Sequence, residues 1–150
     1  MPVVLLECDH GHAHAADLHA VVRLTSAVGL FHVDLEVLAA GGGASERQTV
    51  LVDTGASYLS LPANVLDRLG YRPVGSQRVV FATGETAVWP VTEARVRLGG
   101  RERTVLAFLA DEGAPRLLGV QTLETFGLGV DPLGRRLVPV DAYLASRAVE

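Results

Sequence analysis

The chain has 150 residues, 49% of them hydrophobic and 20% charged, which suits one globular domain with a core large enough to fold unaided and makes a second domain unexpected. A net charge of -4 excludes the basic footprint that nucleic acid or an anionic membrane surface would need, and a single cysteine excludes an intramolecular disulfide. No apolar run approaches the roughly 20 residues of a membrane span, and the N-terminus lacks the basic region that opens a secretory signal, so the expectation is a cytoplasmic protein.

The first stretch, residues 1–19, is rich in metal-binding side chains: Cys8, Asp9, His10, His12 and His14 fall within seven positions. In an extended chain the three imidazoles share one face. Structural zinc sites, however, draw paired ligands from two segments, and no second cluster follows downstream. The stretch therefore reads as a solvated leader without a physiological metal or cofactor, a metal-carrying role being the alternative.

From Ala20 the pattern turns to β. Residues 20–25 alternate, and residues 30–38 do so clearly, with Phe31, Val33, Leu35 and Val37 on one face and His32, Asp34 and Glu36 on the other. A glycine-rich loop over 41–46 returns the chain as a strand, Gln48 to Val52, which runs straight into Asp53-Thr54-Gly55-Ala56-Ser57. An acid, a hydroxyl and a glycine after an apolar strand build a poor core but a good site. The carboxylate can face a cleft while Val50, Leu51 and Val52 bury behind it, and Gly55 lets the backbone approach whatever Asp53 acts on. The Thr54 hydroxyl can tie the turn to a neighbour. Taken alone, the same three residues also suit an ordinary turn.

Tyr58 to Leu61 reads as a short strand and 62–69 as a two-turn helix, with Pro62 in its first turn, Ser60 as a possible cap and Gly70 as its stop. Ser76 to Phe81 is a strand, 82–86 a turn, and 87–92 a returning strand with Pro90 inside it. A proline there argues for an edge or a projecting hairpin, because its missing N–H cannot join a ladder. A hairpin of 93–98 and 103–109 follows around Gly99-Gly100. Its arginines, Arg95, Arg97, Arg101 and Arg103, alternate with apolar residues and read as a solvated sheet face. After a loop at 110–115 come Leu117-Leu118-Gly119, a short helix over 120–126 closed by Gly127, and a final strand, Pro-Leu-Gly turn and strand over 128–140. Residues 142–150 read as a tail.

Two of these segments, VLVDTGASYLSLP and Arg116-Leu117-Leu118-Gly119, occur in the order and spacing that resemble the retropepsin-like aspartic proteases, the superfamily of retroviral proteases with bacterial members; the likeness spans about residues 28–141. The resemblance implies a mainly β fold, a closed or partly open β-barrel with one or two short helices and a flap hairpin, in a domain covering 20–141. It implies that Asp53 is catalytic within the loop Thr54, Gly55, Ala56, Ser57; that Leu117, Leu118 and Gly119 support that loop; and that Thr83, Gly84 and Glu85 form the tip of a substrate-binding flap. The reaction implied is endopeptidase cleavage of a peptide or protein substrate.

Two carboxylates sharing one proton can activate water for that reaction without a metal. The chain contains one Asp-Thr-Gly. Asp131, before Pro132 and Leu133, lacks the hydroxyl and glycine and looks like a turn residue, and 150 residues cannot hold two such lobes. A homodimer with Asp53 from each subunit is the consequence. Two residues depart from the family's patterns. Ser57 stands where retroviral enzymes commonly carry a second acid, and Ala56 offers no hydroxyl to the aspartate, which leaves the anion less stabilised and favours activity nearer neutral pH. The rival from another class is a noncatalytic dimeric β module that binds peptides.

Overall fold

The structure, a computed structural model, describes residues 30–142. The expected strand at 20–25, the leader and the tail beyond residue 142 lie outside the described residues. Within them the chain is mainly β, with two short helices. No helix among them is long and apolar enough to cross a membrane.

Strands β1 (His32–Leu38) and β2 (Ser45–Val52) form an antiparallel hairpin in which Val33 lies opposite Val50. In β1 the alternation is the expected one, with Leu35 and Val37 buried and His32 and Asp34 exposed. In β2 Val50 and Val52 are buried, but Leu51, expected to bury with them, is half-buried because the two-residue period of the strand turns it to the outward face. Strand β3 (Leu59–Pro62) leads into helix α1 (Ala63–Arg68). Pro62 occupies the cap position of α1, one residue before the helix proper, and no side chain among the described residues caps it. Ser60, the expected cap, is instead buried inside β3, between Phe108 and Leu117 on the neighbouring strands. The pull of a strand buried at all four positions outweighs the cap preference of one hydroxyl.

Strand β4 (Gly75–Val80) pairs with β5 (Thr86–Leu98), and β5 with β6 (Arg101–Ala110). The two strands expected at 87–92 and 93–98 are thus one strand of 13 residues. Its alternation is disturbed where Val91 and Thr92 are both buried, which reads from sequence as a break. Pro90 falls in the part of β5 that pairs with edge strand β4 and precedes the pairing with β6, where a missing N–H breaks no central ladder.

Strand β7 (Leu117–Leu118), helix α2 (Val120–Thr125) and the separate hairpin of β8 (Leu128–Asp131) and β9 (Arg136–Pro139) complete the chain. The seven-stranded sheet runs β1-β2-β7-β3-β6-β5-β4, and β1 also pairs with β5, so the first six strands close into a ring with β4 outside it.

The closure between β1 and β5 is short, Glu36 opposite Arg97 and Val37 opposite Val96. Where the next backbone pair would form, the Tyr71 hydroxyl takes over: it donates to the Leu38 carbonyl at 2.5 Å and accepts from the Arg95 N–H at 2.9 Å. On the outside of the seam Arg97 donates to Glu36 (2.9 Å) and Glu102 (2.6 Å). The arginines are a solvated face, as expected, but one crossed by ion pairs that screening keeps weak. Inside the ring, Leu59, Leu61, Leu66, Leu118 and Phe126 are fully buried. At about 1.5–3 kcal/mol per buried side chain, this core outweighs any surface pair in holding the strands that carry the site.

Candidate active site

The alternation of β2 decides where Asp53 stands. Val50 and Val52 point into the core, so the chain leaves the strand with a half-buried carboxylate at its end. The Asp53 N–H donates to the Leu118 carbonyl at 3.0 Å, and the Ala56 N–H donates back to the Asp53 carbonyl at 3.0 Å, closing a tight turn. The Gly55 N–H donates to Asp53 Oδ1 at 2.9 Å. Among the described residues Oδ2 has no hydrogen-bond donor. A Cβ on Gly55 would sit 3.1 Å from Oδ1, so a side chain there would crowd the carboxylate it now orients.

The loop is fastened from the other side by residues 116–121. Leu51 and Leu118 stand in the parallel pairing of β2 with β7, and the Leu51 N–H donates to the Arg116 carbonyl at 2.9 Å. The start of α2 has backbone donors with no partner inside the helix. Two of them are satisfied by the loop itself: Val120 N–H donates to the Ala56 carbonyl (2.8 Å) and Gln121 N–H to the Ser57 carbonyl (2.9 Å). Leu118 is fully buried beneath and Leu117 half-buried. Gly119 is a contact glycine: an added Cβ would lie 2.5 Å from the Tyr58 carbonyl oxygen and 2.7 Å from that of Ser57. The three residues expected to support the loop are therefore brought to it.

Thr54 and Ser57 are exposed, and among the described residues the Thr54 hydroxyl has no hydrogen bond, so the expected tie to a neighbour is not made within the described chain. Thr83, Gly84 and Glu85 lie together at the tip of the β4–β5 hairpin, closed by Phe81 N–H to the Glu85 carbonyl and Gly84 N–H to the Phe81 carbonyl, both at 2.8 Å. All three are exposed. Asp131 is occupied in its own turn: the Gly134 N–H, first, and the Arg136 guanidinium hold its carboxyl below the usual range. A groove of about 430 Å³ includes His32, Thr49, Leu51, Pro115 and Arg116 in its lining; it follows the outward face of β2 toward Asp53 without including it.

Sequence reasoning missed the rings. Tyr58, directly after the loop, lies 5.1 Å from Phe108, Phe108 5.9 Å from Trp89, and Trp89 5.5 Å from Phe81, centroid to centroid. The signal was present only as aromatics at scattered positions. Tyr71 at the seam was equally silent.

The family model described as "gag-polyprotein putative aspartyl protease" matches residues 43–125, which hold both the Asp53 loop and the segment that supports it. No curated protein matches the chain in sequence. Among solved structures, the EIAV protease complexed with the inhibitor HBY-793 is 20% identical with a TM-score of 0.50, over 65% of this chain and 88% of that one. The Simian foamy virus (mac) protease is 16% identical with a TM-score of 0.45, over 63% and 92%. Lpg0085 from Legionella pneumophila subsp. pneumophila str. Philadelphia 1, a DUF785 protein of unknown function, is 20% identical with a TM-score of 0.43, over 70% and 91%. By a match over more than half its length, the chain belongs to the gag-polyprotein aspartyl protease family, with the fold of a retroviral protease.

Proposed function

We propose that the protein is an aspartic endopeptidase that works as a homodimer, with one Asp53 from each subunit activating a shared water. The observation that carries this reading is the Asp53 carboxylate itself. It is half-buried at a strand end, oriented through Oδ1 by the Gly55 N–H, and without a donor on Oδ2 among the described residues. The rigid backing from 116–121 supports it, because a general base must be held to a fraction of an ångström.

In the proposed reaction one Asp53 carboxylate takes a proton from the water, whose oxygen attacks the scissile carbonyl carbon. The other, protonated, gives its proton to the carbonyl oxygen. On collapse of the tetrahedral intermediate a hydroxyl returns its proton to the second carboxylate as the C=O re-forms and the C–N bond breaks, while the first Asp53 gives the departing nitrogen the proton it took from water, which restores the starting pair. One Asp-Thr-Gly per chain supplies half of this pair. The exposed hydroxyl of Thr54, without a partner among the described residues, fits the same reading, since a second copy would meet it beside the carboxylate. Thr83, Gly84 and Glu85 are assigned to a flap over that site.

Dilution tests the proposal. Specific activity on a mixed peptide library should fall as protein is diluted through the dimer dissociation range, measured in parallel by sedimentation. Hydrolysis that stays proportional to protein in a sample sedimenting as monomer would overturn it, and a dimer that cleaves nothing would favour the noncatalytic peptide-binding module.

A further inference from the structure

The β4–β5 hairpin projects from the ring, and its attachment is unusual. Among the described residues, strand β4 pairs with β5 alone, and β5 between Thr86 and Pro90 pairs with β4 alone; pairing with β6 begins only at Val91. A two-stranded ribbon by itself is marginal in water. Alternation along β5 sends Ala94, Val96 and Leu98 into the core and sets Trp89 on the opposite face, with Val91 and Glu93. Phe108, in register with Val91, joins Trp89 there. Neither Val91 nor Phe108 belongs to the main core, though both are buried.

The rings of Tyr58, Phe108, Trp89 and Phe81 therefore make a second apolar cluster outside the ring of strands, in a continuous line from the Asp53 loop to the hairpin end. Its two ends differ in how closely they are held. At one end the Tyr58 backbone is pressed against Gly119, and the Ser57 carbonyl is bonded to α2. At the other, Phe81 is 38% exposed beside an exposed tip. On the hairpin's opposite face Val80 and Val88, each 66% exposed, present apolar surface that nothing among the described residues covers.

We infer that Trp89 is a positioning residue: through Phe108 and Tyr58 it sets the angle of the hairpin against the Asp53 loop, the docked rings holding the hairpin in the position from which it closes over a peptide. The inference rests on the protease reading for its kinetic consequence but not for its structural one. The rings touch no reacting atom. They act on how readily the hairpin lies down, which changes substrate binding and leaves the chemical step alone.

Two measurements on the full chain test it. In peptide hydrolysis, Trp89→Leu should raise KM about tenfold, as expected for two lost ring contacts, with kcat within about twofold, and Trp89→Phe should recover most of the loss. In hydrogen exchange without peptide, amides 81–85 should exchange about tenfold faster in Trp89→Leu than in the wild type, while amides of β2 stay unchanged. A fall in kcat with KM unchanged, no recovery by phenylalanine, or an exchange increase spread equally over hairpin and β2 would overturn the inference, the last by showing a general loss of stability. If the wild type hydrolyses nothing, the exchange result still decides: a local increase upholds the docking role while the protease reading fails, and no increase overturns the docking role itself.

Discussion

Gly119 stands so close to Tyr58 that a Cβ on it would lie 2.5 Å from the Tyr58 carbonyl oxygen, and 2.6 Å from the Ser57 carbonyl carbon. Both neighbours are backbone, so neither can swing aside. Because the Gly119 φ of -88° is open to any residue, the demand for glycine comes from the contact alone. Gly119→Ala should therefore cost about 3 kcal/mol, the upper end of ordinary overpacking, and should displace the loop that carries Asp53. Urea unfolding checks the first effect. A variant as stable as the wild type would show that the loop yields easily and that 117–121 is not its support.

Much of the strand pattern was legible in the sequence because residues 31–38 alternate between core and solvent, while 48–52 read as a strand from the apolar run Val50 to Val52 although Gln48 is buried and Leu51 faces outward. The Asp53 loop was legible for a different reason: an acid, hydroxyl and glycine make no sense as core. What stayed hidden depends on contacts distant in sequence. Tyr58, Trp89 and Phe108 meet only when β3, β5 and β6 come together, and no spacing along the chain marks them. The unity of β5 was hidden by a local feature, since Pro90 and the buried pair Val91 and Thr92 interrupt the alternation a single strand would show. Gly119 was legible as part of a motif, but its reason, the approach of the Tyr58 backbone, was not.

Acid should loosen the join between β2 and α1. Arg68 donates to Glu46 Oε2 at 2.8 Å and also contacts Oε1, and this hydrogen-bonded pairing, against a smaller opposing effect of burial, holds the Glu46 carboxyl below its usual range. A carboxyl depressed in the folded state adds stability above its unfolded value of about 4.3, and that contribution is lost as pH falls through the lower folded value. Between pH 5 and pH 3 the wild type should then lose more stability than Glu46→Gln, which has no such proton to take up. Urea midpoints at the two pH values measure this, and parallel losses would exclude the pair as a contributor. Because both side chains are partly exposed, 0.5 M salt should shrink the difference.

The hairpin tip should exchange fastest among the ordered strands. Residues 81–85 are exposed, and the ribbon that carries them lies outside the closed ring, whereas β2 is paired along its length with β1 and, at Leu51 and Val52, with β7 as well. Local opening needs little area to be uncovered there, and a lid must open for substrate to enter. Hydrogen exchange on the peptide-free protein should find the lowest protection at 81–85 and the highest in β2. Equal protection in the two segments would count against any role as a flap.

The Asp53→Asn substitution bears on function most directly. Asparagine has nearly the shape of aspartate and can still accept the Gly55 N–H through its oxygen, so the loop, fastened by Leu118, Val120 and Gln121, has no reason to move. It cannot take a proton from water. In the proposed dimer the turnover number should fall by about two to four orders of magnitude, the scale of a lost general base. Stability should stay equal or rise, because two carboxylates facing one another across a twofold axis compete for one proton, and two amides do not. Activity and unfolding must be measured on the same preparations, since a loss of activity with a loss of stability would show only that the loop had been damaged. If hydrolysis survives the substitution in a folded dimer, Asp53 is not the base, and the chemistry must be sought elsewhere in the chain.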